Sequence, residues 1–197
     1  GYSKDPWNKS LALNVGIRAI STAVPFIMTM DADMILEPNF IALALDRLDQ
    51  KQSALVLCRI SDLPKAVSLP RTRDALMLEF SGLKKRSQLR PRYGSGGIQL
   101  AKRSFFFDIR GYDEDLKWWG AMDGDLVNRA KLAGLAIEWM ENQTSMLHQW
   151  HPRKHDVLED ATEIDEAKRA WQNNHRIVQR RIKTLKRNDH GWGGISD

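Results

Sequence analysis

One cysteine among 197 residues leaves no partner within the chain for a disulfide. Cys58 lies in the apolar run from Ser53 to Ile60 and reads as a buried structural thiol in a reducing compartment. Long hydrophobic runs are also absent. The longest weakly polar stretch, residues 19–30, contains Ser21, Thr22, Pro25 and Thr29 and falls short of the roughly 20 apolar residues that cross a bilayer. The opening residues, Gly1 to Pro6, lack the apolar core and cleavage pattern of a signal peptide, and Gly rather than Met at position 1 reads as a cut edge. The expected location is cytoplasmic, compatible with peripheral contact to an acidic membrane. Nucleotide signatures are missing as well. Gly94, Gly96 and Gly97 form neither a phosphate loop nor a dinucleotide fingerprint, and no Gly-x-Ser-x-Gly elbow occurs. There is no internal repeat and no low-complexity segment.

What is present, 42 % apolar and 28 % charged residues, suits one globular domain or part of a larger one. The net charge is +5, from 30 basic and 25 acidic residues, and residues 84–103 hold seven basic side chains and no acidic one. Phosphates, acidic glycans, acidic lipid or nucleic acid would suit that segment, as would plain solvation. Residues 24–30 read as a buried strand ending in Asp31-Ala-Asp33. A helix is expected after Pro38, with Ile41, Ala44, Leu45 and Leu48 on one face. Next come a strand over 53–60, a helix over 73–88, a short strand over 98–102 with Phe105 to Phe107 behind it, and a helix over 123–134. Two strands over 135–140 and 144–148 precede one long amphipathic helix over 157–187. Alternating strands and helices predict an α/β fold.

Three groups of residues could carry chemistry. Asp31 and Asp33 at a strand end could hold a divalent cation and, through it, a diphosphate. The pattern is not specific, because Asp-x-Asp recurs at Asp113/Asp115 and Asp123/Asp125. Trp118 and Trp119, followed by Gly120 and Asp123, could stack on a sugar and take a proton from its hydroxyl; the same residues suit an acidic first helical turn beside core tryptophans. His148, His151 and His155 crowd into eight residues, and Pro152 keeps all three from sharing one helical face. They suit a metal or phosphate contact about as well as a structural role.

Four segments then resemble, in order and spacing, the GT-A fold glycosyltransferases. They are residues 7–18 (Trp-Asn-Lys-Ser-Leu-Ala-Leu-Asn-Val-Gly-Ile-Arg), 26–33 (Phe-Ile-Met-Thr-Met-Asp-Ala-Asp), 111–114 (Gly-Tyr-Asp-Glu) and 119–129 (Trp-Gly-Ala-Met-Asp-Gly-Asp-Leu-Val-Asn-Arg). The likeness is closest to family 2-like enzymes and to the galactosyltransferase C-terminal region of β-1,4-galactosyltransferases and chondroitin-type polymerases, and it covers nearly all of residues 7–155. It implies a partial GT-A, Rossmann-like mixed sheet flanked by helices, with the C-terminal part of that domain over 1–155, a helix over 156–188 and a tail over 189–197.

The resemblance also implies roles. Asp31 and Asp33 match the Asp-x-Asp that holds metal and donor diphosphate, and Asp123 matches the base of inverting members. His148 matches a metal-ligating histidine, with His151 as second choice for metal or phosphate. Trp118, Trp119, Gly97 and Asp125 fall on the acceptor side. Mn²⁺, or Mg²⁺, is the implied cofactor. The implied partners are a nucleotide-sugar donor, foremost a UDP-sugar, and a carbohydrate acceptor; nucleic acid is not expected. The chain departs from the family at two points. Met122 stands where many relatives have Glu, and the strands that hold uracil and ribose in relatives would precede residue 1. Weak donor binding and self-association, or pairing with a missing N-terminal segment, are therefore expected. The rival reading is a non-catalytic carbohydrate-binding or scaffold domain derived from such an enzyme.

Overall fold

An asparagine begins the first helix, α1 (Lys9–Ala19): the Asn8 side chain accepts from the Leu11 N–H at 3.0 Å, which satisfies one of the free donors at a helix start. The buried face of α1 is Ser10, Asn14 and Ile17. Two of these are polar, so no apolar spacing announced this helix. Burial of Asn14 is offset by partners: it donates to the Tyr112 carbonyl (2.9 Å) and the Glu114 carboxylate (2.8 Å) and accepts from the Tyr112 N–H (2.7 Å). The computed structural model describes residues 7–51, 53–152 and 161–194. His155 and the expected helix start at Val157 lie outside the described residues.

The remaining elements follow as β1 (Phe26–Met30), β2 (Met34–Leu36), α2 (Phe40–Gln50), β3 (Ala54–Leu57), β4 (Ile60–Asp62), α3 (Arg73–Arg86), β5 (Gln88–Leu89), β6 (Ile98–Lys102), α4 (Arg103–Asp108), α5 (Met122–Leu132), β7 (Ala136–Trp139), β8 (Met146–His148) and α6 (Ala161–Arg180). One four-stranded sheet has the order β1-β6-β3-β7 and a second the order β2-β8-β4-β5. The α/β class is as expected. The chain divides into two compact units: Gly1–Ile27, Ala101–Leu135 and Arg153–Asp197 form the first, which carries α1, α4, α5 and α6, and Met28–Leu100 with Ala136–Pro152 form the second.

In the second unit β3 is buried at every residue and runs parallel to β7, as a continuous apolar strand in the middle of a sheet should. The expected single strand over 53–60 is in fact two. After β3 the chain passes through Cys58 and Arg59 and enters the other sheet as β4, parallel to β8 and antiparallel to β5. An unbroken apolar run cannot reveal where a strand changes sheet. Leu63, Phe80, Leu83 and Leu147 form a core under this second sheet, each side chain contributing roughly 1.5–3 kcal/mol by leaving water. Cys58 is buried, and burial, aided by the charge of Glu141, pushes its thiol up to about 12. Helix α2 starts at Phe40 rather than at Pro38 and turns Phe40, Ala44 and Leu48 inward, leaving Ile41 exposed. Thr72 caps α3 by accepting from the Ala75 N–H at 3.3 Å, and Lys84, Lys85 and Arg86 complement the dipole at its far end.

In the first unit α6 stops at Arg180, seven residues before the expected end. The following residues turn back because ion pairs claim them. Arg181 meets Asp113 at 3.0 Å and Asp115 at 2.7 Å, and Arg187 meets Asp113 at 3.0 Å and Asp125 at 2.8 Å. Asn188 adds hydrogen bonds to the carbonyls of Arg110 (2.8 Å) and Tyr112 (2.7 Å). Among the described residues no helix is long and apolar enough to cross a membrane.

Candidate functional site

The turn between β1 and β2 carries Asp31 and Asp33. Asp31 N–H donates to the Gly97 carbonyl (2.9 Å) and Met34 N–H to the Asp31 carbonyl (3.2 Å), which fixes the backbone as the strand ends. The antiparallel pairing of β2 with β8 sets Met34 opposite His148, and Gln149 N–H donates to the Asp33 carbonyl at 2.9 Å. Asp33, in the turn just before β2, and His148 are thus brought side by side by sheet register.

Three side chains converge there. His148 Nε2 lies 3.3 Å and His151 Nε2 3.0 Å from the same oxygen of Asp33, and one ligand atom from each residue falls within 4.8 Å of the others. The other Asp33 oxygen, Oδ1, is buried without a hydrogen-bond partner among the described residues. Asp31 is half-buried and outside this convergent group.

These residues fit a divalent cation. Ligand bonds of about 2.1 Å at right angles set neighbouring donors about 3 Å apart, as the two imidazoles stand from Asp33. A carboxylate with two imidazoles suits Mn²⁺ or a borderline ion better than a thiolate-seeking one, and better than Mg²⁺, which prefers oxygen donors. Lining up with this group is a pair that sequence reading missed. His148 Nδ1 is 2.8 Å from Asp62 Oδ1, and Arg90 grips Asp62 with two bonds of 2.7 Å, one to each oxygen. The Arg90 guanidinium, with His148 assisting, holds the Asp62 carboxyl below the ordinary aspartate value of 3.8 against the opposing effect of burial. Asp62 and Arg90 stand 28 residues apart with no motif around either, so nothing in the sequence links them.

In the first unit Asp123 occupies the first turn of α5, where the helix dipole favours a carboxylate. Its side chain is 32 % exposed, with Lys9 Nζ 3.9 Å away. The loop before it is strained: Trp118, Gly120 and Ala121 have φ of 61°, 97° and 68°. Two of these are not glycine, and such conformations cost on the order of 1–3 kcal/mol each. A Cβ on Gly120 would meet Trp171 Cδ1 at 2.5 Å. Asn174 holds the loop by donating to the carbonyls of Lys117 (2.8 Å), Trp119 (3.2 Å) and Gly120 (3.2 Å). Trp119 is 52 % exposed and Trp118 half-buried.

Two expected acceptor residues are enclosed instead. Asp125 is fully buried, its oxygens 2.8 Å from Arg129 Nε and 2.8 Å from Arg187 Nη2, so it is the centre of an ion-pair network and offers no surface to a sugar. Gly97 is buried at φ 91°, and a Cβ there would meet Met146 Cε at 2.6 Å; it is glycine so that β8 can pack closely. Part of the basic segment is also spent internally. Lys84 pairs with Glu37 at 3.1 Å, Arg90 with Asp62, and Arg103 stacks over Phe107 at 3.7 Å.

Among solved structures, the catalytic domain of Drosophila β1,4-galactosyltransferase 7 in complex with xylobiose matches over 85 % of this chain at 17 % identity and a TM-score of 0.49. A mutant of the same enzyme, in complex with manganese, UDP-Gal and xylobiose, matches at 17 % identity and 0.48. The chain spans 62 % of the length of both. GalNAc-T7 with UDP, GalNAc and Mn²⁺ matches over 90 % of this chain and 36 % of its own, at 14 % identity and a TM-score of 0.56. The fold is that of the GT-A glycosyltransferases. No curated protein matches the chain. A family model described as the N-terminal domain of galactosyltransferase matches residues 78–154, and the model of glycosyl transferase family 2 matches residues 2–110, more than half of the sequence. The chain belongs to glycosyl transferase family 2.

Proposed function

We propose that this chain transfers a sugar from a nucleotide-sugar donor, foremost a UDP-sugar, to a hydroxyl of a carbohydrate acceptor, with inversion at the anomeric carbon and with Mn²⁺ or Mg²⁺ as cofactor. The observation that carries the reading is the convergence of Asp33, His148 and His151 at a strand end in a chain of this family. Those three side chains would hold the cation, and Asp31 at the same turn is the further carboxylate available to it or to the donor. A bound divalent cation supplies charge that offsets the negative charge growing on a departing nucleoside diphosphate.

Asp123 is assigned as base. The acceptor hydroxyl gives its proton to the Asp123 carboxylate while its oxygen forms the new bond to the anomeric carbon and the bond from that carbon to the diphosphate oxygen breaks. Trp119, and Trp118 beside it, present aromatic faces for the acceptor. The strained loop held by Asn174 keeps those faces and the start of α5 in one arrangement before any sugar arrives, which lowers the cost of orientation.

Calorimetric titration of Mn²⁺ into the chain and its Asp33→Ala and His148→Ala variants tests the cation site, and unchanged binding in both variants would sink it. For the base, Asp123→Asn should lower turnover by about 10² to 10⁴ fold with little change in donor affinity. A turnover number near that of the parent would remove Asp123 from the role.

A further inference from the structure

Two groups near the convergent cluster have no part in the reading above: the Asp62 carboxylate and the Arg90 guanidinium. We propose that Asp62, clamped by Arg90, is a positioning residue that fixes the ring of the metal ligand His148. The inference rests on the metal reading of the Asp33, His148 and His151 group.

A ligating histidine has two nitrogens, and the hydrogen bond made by one decides which tautomer presents the other. Here Nδ1 faces Asp62 Oδ1 at 2.8 Å, closer than Arg90 Nη2 at 3.3 Å, while Nε2 faces Asp33 at 3.3 Å. With Asp62 accepting the Nδ1 proton, the Nε2 lone pair is directed into the cluster and the ring is held in its plane.

Asp62 is held as firmly as the ring it holds. The parallel register of β4 and β8 places Asp62 opposite His148, and Leu63 N–H donates to the His148 carbonyl at 3.0 Å. Arg90 arrives from the end of β5, where its own N–H donates to the Ile60 carbonyl at 2.9 Å and its carbonyl accepts from the Arg59 guanidinium. A two-bond Arg–carboxylate clamp fixes the orientation as well as the location of the carboxylate plane. Without Arg90, Asp62 could turn Oδ1 away from the ring; with it, both oxygens are committed. All three groups stand on or beside strands of one sheet, which makes the arrangement rigid before a ligand arrives.

The test uses the full chain and Mn²⁺ alone as the probe, with affinity read by calorimetry and the His148 ring tautomer by ¹⁵N NMR of the cation-free protein. Asp62→Ala should weaken Mn²⁺ by about 10 to 100 fold, the size of outer-sphere losses at metal sites. It should also lose the Nδ1-protonated signature of His148, while the melting temperature moves little. Arg90→Met should give a smaller loss of the same kind, and Arg90→Lys, which keeps the charge without the fork, should recover only part of it. Asp33→Ala serves as reference and should abolish binding. Parental Mn²⁺ affinity and an unchanged tautomer in both Asp62→Ala and Arg90→Met, with Asp33→Ala inactive in binding, would overturn the positioning role and leave the metal site standing. Parental affinity in Asp33→Ala would overturn the metal reading and this inference with it.

Discussion

The chain contains two carboxylate clusters built from nearly the same acidic spacing, and they have opposite characters. Asp33 in the second unit faces imidazoles, keeps one buried oxygen without a partner among the described residues, and sits where His151 is 54 % exposed. Asp113 and Asp125 in the first unit face guanidiniums, are sealed from water, and are tied into Arg129, Arg181 and Arg187. Guanidinium partners keep their charge near neutrality and have no lone pair to offer a metal. Imidazole partners can give up a proton and accept a metal in its place. The partner, rather than the Asp-x-Asp spacing, therefore separates a scaffold carboxylate from one available for chemistry. It also ranks the three copies of the pattern: Asp113/Asp115 is held by guanidiniums, Asp123/Asp125 is split between a half-exposed and a sealed member, and Asp31/Asp33 contains the carboxylate that faces imidazoles.

Variants that exchange the expected consequences would break this contrast. The largest effect should come from Asp125→Ala, which leaves Arg129 and Arg187 short of a buried counter-charge and should cost about 3–5 kcal/mol in urea unfolding. A loss below about 1 kcal/mol would place the network with ordinary surface pairs. Asp33→Ala should do the reverse: Mn²⁺ binding falls by more than about 100 fold, beyond an outer-sphere change, while stability shifts by less than about 1 kcal/mol.

Next in size is the thiol of Cys58. Its folded value is raised to about 12 from an ordinary 9.0, so the folded form retains a proton that the unfolded chain releases. Its contribution is complete below pH 9 and fades as pH rises from 9 to 12, with a slope up to about 1.4 kcal/mol per pH unit. Parallel pH series on the parent and Cys58→Ala should diverge in that window, and parallel curves would mean the thiol meets water. The smallest effect belongs to Asp123→Asn on stability. Its contact to Lys9 at 3.9 Å is loose and half-exposed, so a change above about 1 kcal/mol would reassign Asp123 from chemistry to structure.

The elements that sequence made legible are those whose pattern, caps or end charges are local. Strand β6 lies where its pattern placed it, and α3 and α5 agree within two residues at each end, because capping and dipole signals sit in the residues themselves. Helix α1 was silent since its inner face is Ser10 and Asn14, whose partners Tyr112 and Glu114 are about a hundred residues away. The long C-terminal helix was extended too far because Arg187 reads as solvated charge in any periodic scheme, whereas two buried aspartates draw it inward. At the candidate site Asp33, His148 and His151 could be nominated by type and place. Asp62 and Arg90 could not, since strand order alone makes them neighbours of His148.

The two-residue passage through Cys58 and Arg59 has a consequence for how such a chain can change over generations. Side chains alternate along a strand, so one residue gained or lost there would present Ser61 or Leu63 in place of Asp62 and turn the carboxylate to the far side of its sheet. A substitution at Cys58 changes local packing and one at Arg59 also removes its bond to the Arg90 carbonyl, but a change of length acts on every residue downstream in β4 at once. Insertions and deletions should therefore be tolerated in the Pro64–Pro70 loop that follows and purged from this passage, so that the spacing from Leu57 to Ile60 is inherited more strictly than the identity of either residue within it.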